Sequence, residues 1–291
     1  MNDKRRIIVD KAQSHILSTQ DESGGWSRLK GEFPYETEPT SWAVKVLSMN
    51  RTGADKIEKG VRFILQDQKP DGSWNNNAAH TAFAIIALSE TGEGPEAVKK
   101  AIAYLKGAEQ NGGGFQRVAG VGEPTTLHTA SALFAFKAAG LDPDEPSVKK
   151  AVGWLKGSQN EDGGYGMFRG SPSTALGTTR SLTALRMYLV KSSEPYVAHG
   201  IAWLLSTRKE SGGFSMMPAS VEDPEITAYV IMALNGLTEY RKYLDNALDY
   251  LEGAQQADGS YTSATPIQFD NKPKKNTQTA CFVAWALLEM K

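Results

Sequence analysis

The chain has 291 residues, of which 40% are hydrophobic and 22% are charged, and its formal net charge is −1. This composition is typical of a folded globular protein and argues against extensive disorder. So small a net charge gives no long-range field that would attract nucleic acid, and no nucleic-acid partner is expected. The single cysteine, Cys281, excludes an intramolecular disulfide and a multi-cysteine metal site, which favours a reducing compartment.

The amino-terminal residues bear on targeting. Residues 1–20 lack the continuous apolar run and the small-residue cleavage site of a signal peptide. No later stretch approaches the eighteen or so apolar residues that a membrane-spanning helix needs. The sequence therefore predicts a cytoplasmic protein without an integral membrane segment.

A glycine-containing turn that ends in an aromatic residue recurs six times along the chain. The six aromatic residues are Trp26, Trp74, Phe115, Tyr165, Phe214 and Tyr261. Before each turn, apolar residues follow the spacing of one helix face, as in residues 3–19, 55–68 and 98–110; after it, the segment is apolar on nearly every side. Each repeat therefore predicts an outer helix with one solvent-facing side, followed by a buried inner helix.

The inner helices are predicted to begin at a threonine that caps them. Their predicted ranges are 40–49, 81–90, 129–140, 178–189, 227–237 and 279–290. The sixth of these runs almost to the carboxyl terminus without a polar capping repeat, so an open stack would expose the apolar faces of its terminal helices. The sequence thus predicts one all-α domain over residues 1–291, an (α/α)6 toroid of six helix-loop-helix repeats around a central cavity.

The repeated turn, of the form Q-x-x-x-G-x-W, resembles the QW repeat of squalene-hopene and oxidosqualene cyclases and is similar to the repeat of protein prenyltransferase β subunits. The resemblance covers the whole chain. It implies the α/α toroid fold and a small hydrophobic ligand, an isoprenoid. The cyclases carry two such domains in one longer chain, so a partner chain that supplies a second domain is an alternative.

Residues 212–237, in the fifth repeat, resemble the segment of class II terpene cyclases in which Gly-Gly-Phe precedes the motif Asp-x-Asp-Asp-Thr-Ala. The resemblance places Asp223 at the first Asp and Glu225 at the central Asp, which donates the proton in that family. Ile226 stands where the family has its last Asp. The implied reaction is a cyclisation started by protonation, of the isomerase or lyase class, and it needs no cofactor.

The residues themselves also single out two acids. Two positions before the inner-helix threonine, only the first and fifth repeats carry a carboxylate, Glu38 and Glu225, each with a second acid two residues earlier. An acid that protonates an alkene must keep its proton near neutral pH, and burial beside a second carboxylate raises its pKa accordingly. Glu225 is therefore predicted as the acid, with Asp223 as its partner. The alternative is that these acids cap the helix and interact with its dipole.

Aromatic and histidine side chains are the remaining candidates. Aromatic faces stabilise carbocations, so the predicted substrate-binding residues are Trp42, Phe134, Tyr229 and Trp285, together with Glu38. Most aromatic residues at helical spacing belong to the core, which is the alternative for these. His80 and His128 directly precede the threonines of the second and third repeats and are predicted as a base or proton relay. For them, a hydrogen-bonded structural role is the alternative.

Two histidines without a third ligand at diagnostic spacing do not predict a metal site. The prenyltransferase resemblance implies a zinc site, but this sequence lacks its ligands. Thr279 stands where that family has its histidine, and no Asp-x-Cys occurs. Two functions remain open. One is a small class II terpene cyclase-like enzyme; the other is a non-catalytic toroid that binds an isoprenoid, lipid or peptide, or acts as a protein-interaction scaffold.

Overall fold

The computed structural model describes residues 3–29, 34–110, 112–188, 191, 193–263 and 274–290. Within them lie twelve α-helices, a 3-10 helix at Thr238–Tyr240, and strands β1 (Tyr261–Ser263) and β2 (Lys274–Asn276), which pair antiparallel. The α-helices are α1 (Asp3–Ser18), α2 (Thr37–Met49), α3 (Ala54–Gln66), α4 (Ala78–Thr91), α5 (Pro95–Gly107), α6 (Thr126–Ala138), α7 (Pro146–Lys156), α8 (Ala175–Met187), α9 (Pro195–Ser206), α10 (Pro224–Leu234), α11 (Arg241–Ala254) and α12 (Thr277–Glu289).

Outer and inner helices alternate as predicted. The inner helix α4 buries every residue from Thr81 to Leu88, whereas the outer helix α5 buries only Ala101 and Leu105. A helix that is apolar on all sides gains stability only if neighbours cover all sides, whereas an amphipathic helix needs one neighbouring layer. The hydrophobic pattern of each segment thus decides its layer.

The inner helices begin earlier than predicted. Each starts two or three residues before its threonine, so the prediction that the threonine is the cap is wrong. The residues whose side chains accept the free backbone N–H groups are Asn77, Thr125, Thr174, Asp223 and Asn276. The capping residue lies upstream because each inner helix begins two or three residues before the apolar segment from which its start was predicted.

The inner-helix threonine instead joins its helix to the preceding turn. In five repeats its hydroxyl oxygen accepts a hydrogen bond, 2.9–3.1 Å long, from the backbone N–H of the aromatic residue that ends the turn. The pairs are Trp26 with Thr40, Trp74 with Thr81, Phe115 with Thr129, Tyr165 with Thr178 and Phe214 with Thr227. This bond satisfies a buried donor that the helix itself cannot reach.

A glutamine in the turn joins neighbouring repeats. Gln20 Nε2 donates to the carbonyl oxygen of Gly24 in its own turn and to that of Lys56 in the next outer helix, both at 2.9 Å. In the sixth repeat, Gln255 Nε2 makes the equivalent bonds to Gly259 and, at 3.0 Å, to Ile8 of α1. The hydrogen bond of Gln255 therefore joins the sixth repeat to the first in the same way that Gln20 joins the first repeat to the second.

Glycine is required in the sixth turn. Gly259 has a φ of +82°, and a Cβ atom there would lie 2.0 Å from the carbonyl oxygen of Lys11 in α1. A residue with a side chain would be strained by the backbone conformation and would also push the turn away from α1. Glycine thus supplies the positive φ angle that this turn requires.

The contacts within the chain form two compact units. The first comprises residues 1–60 and 205–291, in which α12 packs against α1, α2 and α10; the second comprises residues 61–204, in which α6 packs against α4 and α8. The extent of a single domain over residues 1–291 stays a prediction. None of the helices in the described ranges combines the length and hydropathy needed to cross a bilayer.

We expect Thr178→Val to lower the free energy of unfolding by about 1–3 kcal/mol, because the buried N–H of Tyr165 loses its acceptor. Urea unfolding followed by circular dichroism measures the change. The control is Thr183→Val, at a half-buried position of the same helix, which should change stability by less than about 0.5 kcal/mol. Equal effects of the two variants would contradict the proposed importance of the turn bond.

Candidate functional site

Glu225 is the second residue of α10, and its side chain is completely buried in the first unit. Pro224 begins the helix, and Asp223 caps it by accepting hydrogen bonds from the backbone N–H groups of Glu225 and Ile226, at 2.9 and 3.3 Å. Because Asp223 satisfies these helix donors, the carboxyl group of Glu225 is not used for capping. It contacts side chains of α12 and of its own helix instead.

Three side chains donate hydrogen bonds to the carboxyl group of Glu225. The Tyr229 hydroxyl and Gln278 Nε2 donate to Oε1, at 2.6 and 2.5 Å. The Thr279 hydroxyl donates to Oε2 at 3.0 Å. All three donors are electrically neutral, so none compensates a negative charge on the buried carboxylate as a cation would.

Burial raises the pKa of Glu225 to about 8. Removing a carboxylate from water disfavours its charged form, and the nearby charge of Asp223 acts in the same direction, while the hydrogen bonds from Tyr229, Gln278 and Thr279 oppose the rise. At neutral pH the carboxyl group is therefore mainly protonated. The arrangement holds an undissociated acid in a completely buried position.

Asp223 has two kinds of interaction in this site. Its carboxylate caps α10, and it also accepts a hydrogen bond from Ser263 Oγ, 2.8 Å from Oδ2. It remains close enough to Glu225 for its negative charge to favour the protonated form of that residue. Ile226, at the last position of the acidic motif, is completely buried and supplies no charge.

Four aromatic rings form a cluster in the same unit. Phe282 lies at its centre, with ring centroids 4.8 Å from Tyr229, 5.1 Å from Trp42 and 6.1 Å from Trp285. Phe282 thus brings together three predicted substrate-binding residues. Phe282 lies within the same predicted inner helix as Trp285, but nothing in the sequence distinguished it from a core residue. The cluster reaches Glu225 through the hydroxyl of Tyr229.

Glu38, the second predicted acid position, has a different environment. Its carboxylate forms an ion pair with Arg28, and the guanidinium group of Arg28 lies 5.4 Å from the centroid of the Trp42 ring. Glu36, the acid two residues earlier, occupies the cap position of α2 without a side-chain capping bond. The two acid-bearing repeats therefore differ, because one carboxyl group is paired with a cation and the other with neutral donors.

The other three predicted site residues lie in the second unit. His80 is half-buried, and its Nδ1 lies 3.5 Å from the side-chain amide of Asn75, while His128 is 7% exposed, with Nδ1 2.7 Å from the hydroxyl of Thr125. These contacts agree with hydrogen-bonded histidines. The proposed base or relay role stays a prediction for both.

Phe134 belongs to a cation–π arrangement that sequence reasoning missed. The guanidinium group of Arg180, a buried residue of α8, lies 5.8 Å from the ring of Phe134 and 5.5 Å from that of Phe83. The available signal was a charged residue two positions after the inner-helix threonine, where other repeats have Trp42, Phe83 and Tyr229.

Two further observations concern metals and cysteine. Across the described ranges, no group of three or more His, Cys, Asp or Glu side chains is placed to hold a metal ion. Cys281 is completely buried and reduced, and burial together with the charge of Glu225 raises the pKa of its thiol. A thiol in this state is a poor nucleophile, as expected of a small core residue.

Two family models match consecutive parts of the chain. Residues 81–174 match the squalene-hopene cyclase C-terminal domain, and residues 178–291 match the prenyltransferase alpha-alpha toroid domain. The drimenyl diphosphate synthase of Streptomyces showdoensis is 28% identical over 145 residues, which are 46% of this chain and 27% of that protein. The chain thus matches only about a quarter of the length of this curated relative.

Solved structures confirm the predicted all-α toroid fold. The type II terpene cyclase MstE from Scytonema superposes with a TM-score of 0.77 at 15% identity, over 98% of this chain and 97% of that chain. A variant of that cyclase in complex with geranylgeranyl dihydroxybenzoate, its substrate, superposes with a TM-score of 0.76 at 15% identity, again over 98% and 97% of the chains. At this identity the likeness concerns the fold alone.

Glu225→Gln tests the burial of the acid without any assay of activity. Because the pKa of Glu225 is about 8 in the folded chain against an ordinary 4.5, only the unfolded state releases this proton between those values. The protonated carboxyl group of Glu225 therefore contributes to the free energy of unfolding at low pH. This contribution is lost as pH rises, by roughly 1.4 kcal/mol per pH unit. Urea unfolding at several pH values should show the variant gaining stability relative to wild type from about pH 5 to 8.

The matched control for this measurement is Glu222→Gln, the same chemical change at a half-buried position three residues earlier. Because this variant keeps the carboxyl group of Glu225, it should retain the fall in stability between about pH 5 and 8. A constant difference between Glu225→Gln and wild type across the range would show that the carboxyl group is ionised in the folded protein.

Proposed function

The chain belongs to the terpene cyclase and prenyltransferase superfamily, and from this membership we propose that it cyclises a linear isoprenoid by protonation, with Glu225 as the acid. The observation that carries the proposal is the completely buried carboxyl group with a pKa of about 8, held by three neutral donors. An acid in this environment keeps its proton at neutral pH until a substrate alkene approaches.

The proposed reaction is an isomerisation. The proton of Glu225 adds to one carbon of a terminal alkene, and the adjacent carbon becomes a carbocation. The π electrons of the next alkene attack this cation and form a carbon–carbon bond, which moves the positive charge along the chain. The last cation loses a proton to a base, and Glu225 regains a proton from solvent, so the substrate gains and loses no atom overall.

The aromatic cluster suits the cationic intermediates of this reaction. The faces of Trp42, Tyr229, Phe282 and Trp285 carry partial negative charge, which stabilises a carbocation without forming a bond to it. The proximity of Tyr229 to Glu225 would put the first cation beside an aromatic face. The cluster thus supports Trp42, Tyr229 and Trp285 as substrate-binding residues.

The relatives suggest the substrate class. One is named a drimenyl diphosphate synthase, and a cyclase of the same fold was solved with geranylgeranyl dihydroxybenzoate. We therefore propose an isoprenoid of about fifteen to twenty carbons with a polar head group. The match over 97% of the Scytonema cyclase supports a single toroid as sufficient, and a partner chain with a second domain remains the alternative proposal.

One observation favours the second candidate function, a non-catalytic toroid that binds an isoprenoid, lipid or peptide. Ile226 replaces the last acid of the motif and is completely buried, so this chain has one carboxylate fewer beside the proposed donor. In that case Glu225 would act as a hydrogen-bonding group for a bound ligand. Product analysis separates the two functions, because only the enzyme releases a cyclised isomer.

We expect wild-type protein incubated with linear isoprenyl diphosphates of ten, fifteen and twenty carbons to yield a cyclised isomer from at least one of them. Glu225→Gln should lower turnover at least about a hundredfold, because an amide cannot donate the proton. Glu222→Gln, outside the proposed machinery, should retain wild-type turnover. Gas chromatography with mass spectrometry identifies the products after removal of the diphosphate. Absence of any cyclised product, or full activity of Glu225→Gln, would contradict the proposal.

Turnover should depend on pH in the direction set by the raised pKa. Since the protonated form is active, kcat is expected to stay level below about pH 8 and to fall about tenfold per pH unit above it. Initial rates at saturating substrate from pH 5.5 to 10 measure this. A rate that rises through pH 8 would indicate an ionised carboxylate acting as a base.

A further inference from the structure

The first turn of α12 departs from the repeat pattern at two consecutive positions. In five repeats the inner-helix threonine accepts a hydrogen bond from its own aromatic turn, whereas in the sixth the hydroxyl of Thr279 donates to Glu225 Oε2 of the fifth repeat. The residue before the threonine is a glutamine only here, Gln278, and its amide donates to Glu225 Oε1. Both departures therefore lead to the same carboxyl group.

We infer that Gln278 and Thr279 are positioning residues through which the last repeat orients Glu225 and sets its acidity. The inference rests on the proposed role of Glu225 as the acid. Both side chains are almost fully buried, with 2% and 0% exposure, and α12 packs directly against α10. Neither residue needs to touch the substrate, because each acts through the carboxyl group.

The two oxygen atoms of Glu225 have different surroundings. Oε1 lies within hydrogen-bond distance of both the Tyr229 hydroxyl and Gln278 Nε2, whereas the Thr279 hydroxyl is the partner of Oε2. An amide N–H can only donate, so Oε2 is the oxygen better placed to carry the proton of the undissociated acid. The hydroxyl of Thr279, beside Oε2, can accept from this proton or donate to the ionised oxygen. It can therefore hold the carboxyl group in place before and after proton transfer.

The donors also change the strength of the acid. Hydrogen bonds to an ionised carboxylate are roughly twice as strong as those to a neutral acid, so Gln278 and Thr279 stabilise the product of proton loss. They oppose the effect of burial on the pKa of Glu225. Without them the group would hold its proton more tightly and donate it more slowly.

Other titratable groups surround this site. Tyr229 lies on α10 and Asp223 at its cap. Cys281 lies on α12 and Tyr250 on α11. The helix α2, which packs against α12, carries Glu38 in its ion pair with Arg28. Burial raises the pKa of both the Cys281 thiol and the Tyr250 phenol, so neither group ionises where Glu225 titrates.

The test is an infrared titration of the 291-residue protein without substrate. The carbonyl stretch of the protonated carboxyl group reports Glu225, assigned by its loss in Glu225→Gln. Thr279→Val and Gln278→Met should each raise the midpoint by about one pH unit, a tenfold fall in the acid dissociation constant. Thr279→Ser, which keeps the hydroxyl, should have the same midpoint as wild type.

The matched control is Thr178→Val, which removes the equivalent hydroxyl of the fourth repeat, where it accepts from Tyr165. This variant should be less stable than wild type but should keep the wild-type midpoint. An unchanged midpoint in both Thr279→Val and Gln278→Met would overturn the inference, as would a midpoint of Thr279→Ser that differs from that of wild type. If Thr279→Val does not fold, Gln278→Met and Thr279→Ser still decide the outcome.

The two proposals fail separately. A shifted midpoint in a protein that cyclises none of the isoprenyl diphosphates would leave the tuning of Glu225 in place and remove the cyclase proposal. If the protein forms a cyclised product but the midpoint is unshifted in these variants, the cyclase proposal stands and the positioning role of Gln278 and Thr279 is contradicted.

Discussion

The desolvation of one carboxyl group, that of Glu225, is the constraint on which the candidate site depends. Placing an ionised carboxylate in a protein interior costs several kcal/mol unless a cation or many donors compensate it. The three side chains that hydrogen-bond Glu225 are neutral, so the folded chain retains the protonated form instead. The same burial that makes the group costly to ionise is what its proposed role as an acid requires.

Glu38 illustrates how one change of partner alters this chemistry. It occupies the same register of its inner helix as Glu225, yet Arg28, from the preceding turn region, pairs with it. A cation stabilises the ionised carboxylate, whereas neutral donors in a desolvated position leave the acid protonated. Equivalent positions of a repeat can therefore hold a charge in one copy and a transferable proton in another.

The repeat itself provides the rigidity that such a site needs. The threonine bond ties the start of an inner helix to its turn, and the glutamine bonds tie a turn to the neighbouring outer helix. In the fifth repeat the threonine bond joins Thr227 to Phe214 and so fixes the first turn of α10, where Glu225 lies. The toroid scaffold thus places side chains of different repeats against one another, and substitutions at few positions determine what they do.

The sequence by itself determined the repeat, the alternation of outer and inner helices, and the two acid positions, because each depends on local spacing and hydrophobic pattern. It also selected Glu225, Asp223, Trp42, Tyr229 and Trp285, which the folded chain brings together in the first unit. It misplaced the helix caps, since a threonine in the first turn and one at the cap look alike in sequence.

Only the tertiary structure decided which acid keeps its proton. Gln278 and Thr279 lie more than fifty residues from Glu225 along the chain, and Arg28 pairs with Glu38 across a turn. No local pattern reports these contacts, because they arise where side chains of different repeats meet in the packed interior. The pKa of a carboxyl group depends on burial and on such neighbours, and both exist only after the chain has folded.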